Sequence, residues 1–211
     1  TLKLSEFLEN SKSTEKLIKQ AEGQIASWDF ITSQQQFGEP LPGIPLWNEW
    51  PFFKGQTKLV LRDAGLINPE KLEDYIAIGG YTPLITALSM KPEAVIAEVE
   101  RSGLRGRGGA GFPTARKWKL LAEQSDPLKY LICNADEGDP GAYMNRNEIE
   151  SDPFALIEGM TIGAYATRAT KGFVYIRAEY PLAVERLQSA LQQAREAGLL
   201  GSNILGTSFS F

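Results

Sequence analysis

Apolar and polar positions along this chain follow two rhythms. A helical spacing, with apolar residues three and four apart, marks six stretches. Leu4 to Gln24 carries Leu8, Leu17 and Ile18 among Lys, Glu and Ser. Asn68-Pro69, a cap followed by a first-turn proline, opens a second helix that Gly79-Gly80 closes. Pro92 opens a third, with Val95, Ile96 and Val99 on one face and Gly103 as its stop, and Thr114 to Gln124 is a fourth. Ser151-Asp152-Pro153 caps the fifth, with Ile157, Met160 and Ala164 inward, and Pro181 starts the sixth, with Val184, Leu187, Leu191 and Ala194 on one stripe before Gly198. Three short runs read as strands: Lys58–Leu61, Tyr130–Cys133 and Gly172–Ala178. The last two are apolar on both faces, as expected of buried strands. Strands alternating with helices predict an α/β sandwich of three layers.

The pattern also divides the chain. Residues 1–50 read as an N-terminal helical and irregular arm with a linker, built from Ser33-Gln34-Gln35-Gln36 and then Pro40, Pro42, Gly43 and Pro45. Residues 51–211 read as the α/β domain. Trp47, Trp50, Phe52 and Phe53 sit at the junction, either as a local core anchor or as a docking surface.

Composition narrows the chemistry. The 211 residues include no His and one Cys, Cys133. A Ser-His-Asp or Cys-His dyad, a His-held zinc and a His-held haem are therefore excluded for this chain. So is an iron–sulfur cluster held by it alone, which needs about four thiolates. No apolar run is long enough to span a bilayer, and no N-terminal stretch has the order of a secretory signal. A cytoplasmic location is expected, with any membrane association through partner subunits. The net charge of −4 argues against a general nucleic-acid binder.

Two segments carry candidate chemistry. Ser102 to Thr114 reads SGLRGRGGAGFPT and contains GxGxxG at Gly106, Gly108 and Gly111, with Gly109 beside them. Glycines at this density let backbone amides approach an anion, and a helix starting near Thr114 adds its positive end. Arg101, Arg105, Arg107, Arg116, Lys117 and Lys119 are the charged residues from Arg101 to Lys119, with no acid among them. Because the loop follows a helix and not a strand, the standard Rossmann fingerprint does not apply. Phe112 either stacks on a flat ring or plugs the loop against the core. The second segment, Asn134-Ala-Asp136-Glu137-Gly-Asp139-Pro-Gly141, follows an apolar strand directly, where open α/β sheets bind ligands. Its carboxylates and carboxamide suit ribose or ribityl hydroxyls; a Mg²⁺ or Ca²⁺ site and a plain solvated turn are the rival readings. Together, the two segments suggest a nucleotide or flavin site.

The glycine-rich segment with Lys117-Trp118 resembles the FMN-binding loop of the NADH-oxidising flavoprotein subunit of respiratory complex I and its relatives. Asn134–Ala142, Asp152–Met160, Gly163–Ala166, Phe52-Phe53 with Gln56, Tyr75-Ile76 and Gly79–Tyr81 resemble other stretches of that family, over about residues 51–211. Tyr143–Arg146 looks most like the diaphorase subunit of soluble NAD-reducing hydrogenases; a complex I or formate dehydrogenase flavoprotein subunit is the alternative. The resemblance implies a Rossmann-like domain, incomplete at its C-terminus, that exchanges hydride between NAD(H) and FMN and single electrons with iron–sulfur clusters of partner subunits. It places Gly106, Arg107, Gly108 and Lys117, within the Gly109- and Gly111-bearing loop, at the FMN phosphate and ribityl chain. Asn134 and Asp136 fall on the flavin side, and Phe112, Glu137 and Asp139 face NAD(H). The family's [4Fe–4S] cysteines have no counterpart here. An FMN-free scaffold piece of such a complex is the reading from a different class.

Overall fold

The computed structural model describes residues 51–211. The Leu4–Gln24 helix, the linker, Trp47 and Trp50 lie outside them.

In order, the elements are α1 (Leu72–Ala77), α2 (Thr82–Leu88), α3 (Pro92–Arg101), α4 (Thr114–Ala122), β1 (Tyr130–Ala135), α5 (Met144–Ser151), α6 (Pro153–Thr167), β2 (Lys171–Ile176) and α7 (Pro181–Glu196), then a 3₁₀ turn at Ile204–Gly206. β1 and β2 pair in parallel, from Tyr130↔Lys171 to Ala135↔Ile176. Parallel neighbours need a long crossover, which α5 and α6 supply.

Helix α6 is the centre of the domain. It is apolar around most of its circumference, as a helix enclosed on several sides must be. It buries Phe154, Ile157, Glu158, Thr161 and Ala164. Asp152 starts it by accepting the Ala155 amide at 3.0 Å, the capping read from Ser151-Asp152-Pro153. Its N-terminal half packs with Tyr75 and Tyr81, whose rings meet edge to face at 5.6 Å, while Phe154 stacks on Tyr75 at 6.0 Å. On α7 the buried positions are Ala183, Leu187, Ala190 and Ala194; of the expected stripe, Leu187 and Ala194 are among them, while Val184 and Leu191 are half-buried. A smaller core joins Ala87, Val95, Ile96, Ala115 and Ala166, so that α3 and α4 lean on the C-terminal half of α6.

Several expectations are corrected. Lys58–Leu61 is not a strand: the chain there passes into successive turns, with Asp63 accepting the Leu66 and Ile67 amides and Gly65 at φ +84°. Three consecutive apolar residues, Leu59 to Leu61, do not outweigh the turn-forming Asp63 and Gly65 that follow. The helix expected from Asn68-Pro69 begins at Leu72, because the Asn68 side chain accepts the Glu70 amide and forms a local turn first. Helices α2 and α5 are additions that the apolar spacing does not predict. β1 and β2 are strands, but not fully buried ones. Leu131, Cys133, Val174 and Ile176 face the core, whereas Tyr130, Ile132, Phe173 and Tyr175 stand exposed. Among the described residues helices cover only one face of this two-stranded sheet.

Candidate functional site

The glycine-rich loop is closed at its neck and open at its tip. Gly106 donates to Phe112 O at 2.9 Å and Thr114 to Leu104 O at 3.0 Å; the Arg105 guanidinium reaches Gly111 O at 3.1 Å. The chain turns between these ties with Gly109 at φ +94° and Gly111 at φ +60°, values that favour glycine. Gly108 differs. It has no such φ, and a Cβ built on it would meet nothing within 4 Å, so the fold itself does not require glycine there. Among the described residues the amides of Arg107, Gly108, Gly109, Ala110 and Gly111 have no acceptor, and neither have those of Ala115 and Arg116 in the first turn of α4. That helix has no side-chain cap. The loop and helix start thus present unbonded N–H groups, and the same segment carries Arg107, Arg116 and Lys117, all exposed, a donor set that suits a phosphate.

Phe112 does not plug into the core. It is 38% exposed and carries the Arg116 guanidinium 5.6 Å above its ring. At the far end of α4, the buried Lys129 ammonium donates to Ala122 O at 2.8 Å, satisfying a terminal carbonyl where the helix dipole is negative.

The acidic turn sits at the carboxyl end of β1. Asn134 Oδ1 accepts the Asp136 amide at 3.0 Å, and Asp139 O accepts the Ala142 amide at 3.2 Å. Asp136 and Asp139 are exposed; Glu137 is buried. The Glu137 carboxylate caps α5, Oε1 accepting from Met144 at 2.5 Å and Asn145 at 3.0 Å and Oε2 from Arg146 at 3.3 Å. Its carbonyl accepts Arg177 Nη1 at 2.7 Å. Glu148 and Glu150 lie on α5. Burial raises the pKa of Glu148, and Glu150 pairs with Arg146 at 2.9 Å. Burial also pushes the Cys133 thiol up, with the Glu148 charge adding to it, which suits an unreactive sulfur.

The structure gathers Gly106, Arg107, Gly108, Gly109, Gly111, Phe112 and Lys117 into one unit, and Asn134, Asp136, Glu137 and Asp139 into another. Among the described residues no hydrogen bond or ion pair joins the two units. A cavity of about 430 Å³ lies elsewhere, lined in part by Leu61, Ile67, Asn147, Ser151 and Arg186, and none of the predicted site residues line it. Sequence reasoning missed Arg177. It stands one residue past β2, at the same end of the sheet as the turn, so the rule that directs attention to the carboxyl ends of strands applies to it equally. Among the described residues no three Cys, Asp or Glu side chains are grouped to hold a metal ion, and no helix is long and apolar enough to cross a membrane.

Residues 99–208 match the family described as the Nuo51 FMN-binding domain. The chain belongs to that family. Within it, the chain is 53% identical over 158 residues to the HndC component of the NADP-reducing hydrogenase of Solidesulfovibrio fructosivorans, covering 75% of this chain and 32% of that protein. It is 46% identical over 151 residues to the F component of the NADH-quinone oxidoreductase of Aquifex aeolicus (strain VF5), covering 72% of this chain and 35% of that one. An NAD⁺-reducing [NiFe]-hydrogenase solved in the H₂-reduced state aligns with a TM-score of 0.50 at 44% identity, over 53% of this chain and 19% of that one. The chain thus spans about a third of the length of the curated relatives it matches. Both candidate segments of this family member, the loop and the turn, lie inside the matched residues.

Proposed function

We propose that this chain is the FMN- and NAD(H)-binding part of the flavoprotein subunit of an NAD(H)-linked oxidoreductase. The observation that carries this reading is the run of unbonded amides from Arg107 to Gly111 and at the start of α4, in a stretch that also carries the exposed cations Arg107, Arg116 and Lys117, in a member of an FMN-binding family. The residues present fit a flavin mononucleotide: a phosphate fills the amide-lined tip, where Gly108 leaves room for it. When bound, FMN supplies the hydride acceptor and the passage from two-electron to one-electron transfer, so no protein acid, base or nucleophile is needed.

The chain's own residues position and discriminate. The loop amides and Lys117 hold the phosphate. Asn134 and Asp136 reach the flavin side with the Asn134 amide nitrogen and the Asp136 carboxylate, which the turn leaves free. Phe112, already under a guanidinium, offers a ring face to the adenine, and Asp139 accepts hydroxyls of the dinucleotide. The two segments line one hollow in this reading. The bare sheet face at Tyr130, Ile132, Phe173 and Tyr175 favours a three-layer sandwich in the complete protein, since parallel sheets are covered on both sides. Other subunits of an electron-transfer complex, including iron–sulfur subunits, are the partners, and the site is cytoplasmic. The hydrogenase branch is favoured by the 53% identity to HndC against 46% to the quinone oxidoreductase relative.

The test is the flavin absorption spectrum of the complete protein and of Lys117→Ala. Flavin is expected in the former and reduced occupancy in the latter. Flavin retained in the variant with unchanged NADH affinity would contradict the assignment.

A further inference from the structure

We infer that Glu137 and Arg177 are positioning residues that fix the shape of the acidic turn, leaving Asp136 and Asp139 as the carboxylates that face the ligand. This rests on the proposed reading of the turn, with Asp136 toward the flavin and Asp139 toward the dinucleotide.

The geometry forms a closed circuit. The Glu137 carboxylate holds the amides of Met144, Asn145 and Arg146. The Arg146 guanidinium lies 5.7 Å from the centre of the Tyr180 ring, and that ring also carries Arg177 at 5.8 Å. Arg177 returns to the Glu137 carbonyl through Nη1, while its Nη2 and Nε bind Glu179 at 2.7 and 3.4 Å. Four elements (the end of β1, the start of α5, the end of β2 and the start of α7) are thereby tied around one residue. Both oxygens of the Glu137 carboxylate are engaged, and the residue is 8% exposed. Three amides thus occupy most of its acceptor capacity, and its burial turns it toward the helix it caps and away from a ribose hydroxyl. Asp136 and Asp139 have no such duty; both are exposed, and their side chains accept no hydrogen bond among the described residues. Tyr143 at φ +53° and Gly141 at φ +81° complete the sharp return from the turn into α5, a path that the two clamps hold in place.

Four variants of the complete protein in its native complex test this: Glu137→Ala, Glu137→Gln, Arg177→Ala and Asp139→Asn. Amide hydrogen exchange at Met144, Asn145 and Arg146, measured without nucleotide, reads the clamp. NADH KM and kcat read the ligand. Glu137→Ala is expected to speed exchange at the three amides about tenfold, the loss of a helix cap. Arg177→Ala should do so to a smaller extent, and Glu137→Gln, whose carbonyl oxygen still accepts, should largely restore protection. Asp139→Asn is expected to raise KM for NADH about tenfold with exchange unchanged. Unchanged exchange in Glu137→Ala alongside a raised NADH KM would overturn the inference and make Glu137 a direct ligand. A wild-type complex that does not oxidise NADH would sink the functional reading instead, while the exchange measurement still reports on the clamp.

Discussion

Glu158 and Tyr75, 83 positions apart, meet inside the core, where the Glu158 carboxylate accepts the Tyr75 hydroxyl at 2.6 Å. The same side chain accepts the amides of Tyr81 and Leu84, each at 2.9 Å, so one buried acid on α6 organises the end of α1 and the start of α2. Burial and the Glu158 charge hold the Tyr75 phenol far above its ordinary pKa. Tyr75 therefore serves as a permanent donor.

Glu158→Ala should destabilise the domain by about 3 kcal/mol or more, because three buried donors lose their acceptor together. Glu158→Gln should cost less, since one amide oxygen remains. Denaturant unfolding of the two variants gives the order. A smaller loss in the alanine variant than in the glutamine variant would contradict this role.

Asp152 sets a pH dependence. Burial pushes its carboxyl up from 3.8 to about 7; the Ala155 amide opposes the rise, and the neighbouring Asp63 adds to it. Between those values the folded protein holds a proton that the unfolded chain has released. Stability from this group is therefore full at low pH and is lost as pH climbs from 3.8 through about 7, by up to about 1.4 kcal/mol per pH unit. Asp152→Asn, which still caps α6, should flatten that slope and be at least as stable at pH 8. An unchanged slope between pH 5 and 8 would rule Asp152 out as its source.

Two glycines should respond in opposite ways. A Cβ on Gly80 would lie 2.3 Å from the Tyr75 ring and 2.6 Å from its carbonyl oxygen, so Gly80→Ala should cost about 2 kcal/mol or more. Gly108→Ala should leave stability within about 0.5 kcal/mol yet lower FMN affinity about tenfold. Equal effects on stability would show that Gly108 is required by the fold and not by a ligand.

How much of the fold is legible in the sequence depends on where the decisive partners lie. Pro92, Pro153 and Pro181 mark true helix starts, and Gly79-Gly80 and Gly198 true ends, because caps and breakers act within a few residues. Helix α2 escapes such a reading although Thr82-Pro83 opens it; its N-terminus is held by Glu158, and no local pattern announces an acceptor on another helix. Helix α5 is hidden in the same way, since Glu137 looks like one more acid in a ligand turn and is in fact its cap. Tyr130–Cys133 and Gly172–Ala178 read as enclosed because their composition is that of a strand covered twice, whereas the described residues cover it once. The glycine loop's turns and bare amides are the most readable feature, since glycines at Gly109 and Gly111 set the backbone directly.

Phosphate recognition is the centre of the account, and a comparison of FMN with riboflavin isolates it. In the complete, flavin-depleted protein, FMN is expected to bind about a hundredfold more tightly than riboflavin, with most of that preference lost in Arg107→Ala/Lys117→Ala. Equal affinity for the two flavins, or a preference untouched by removing both cations, would contradict it.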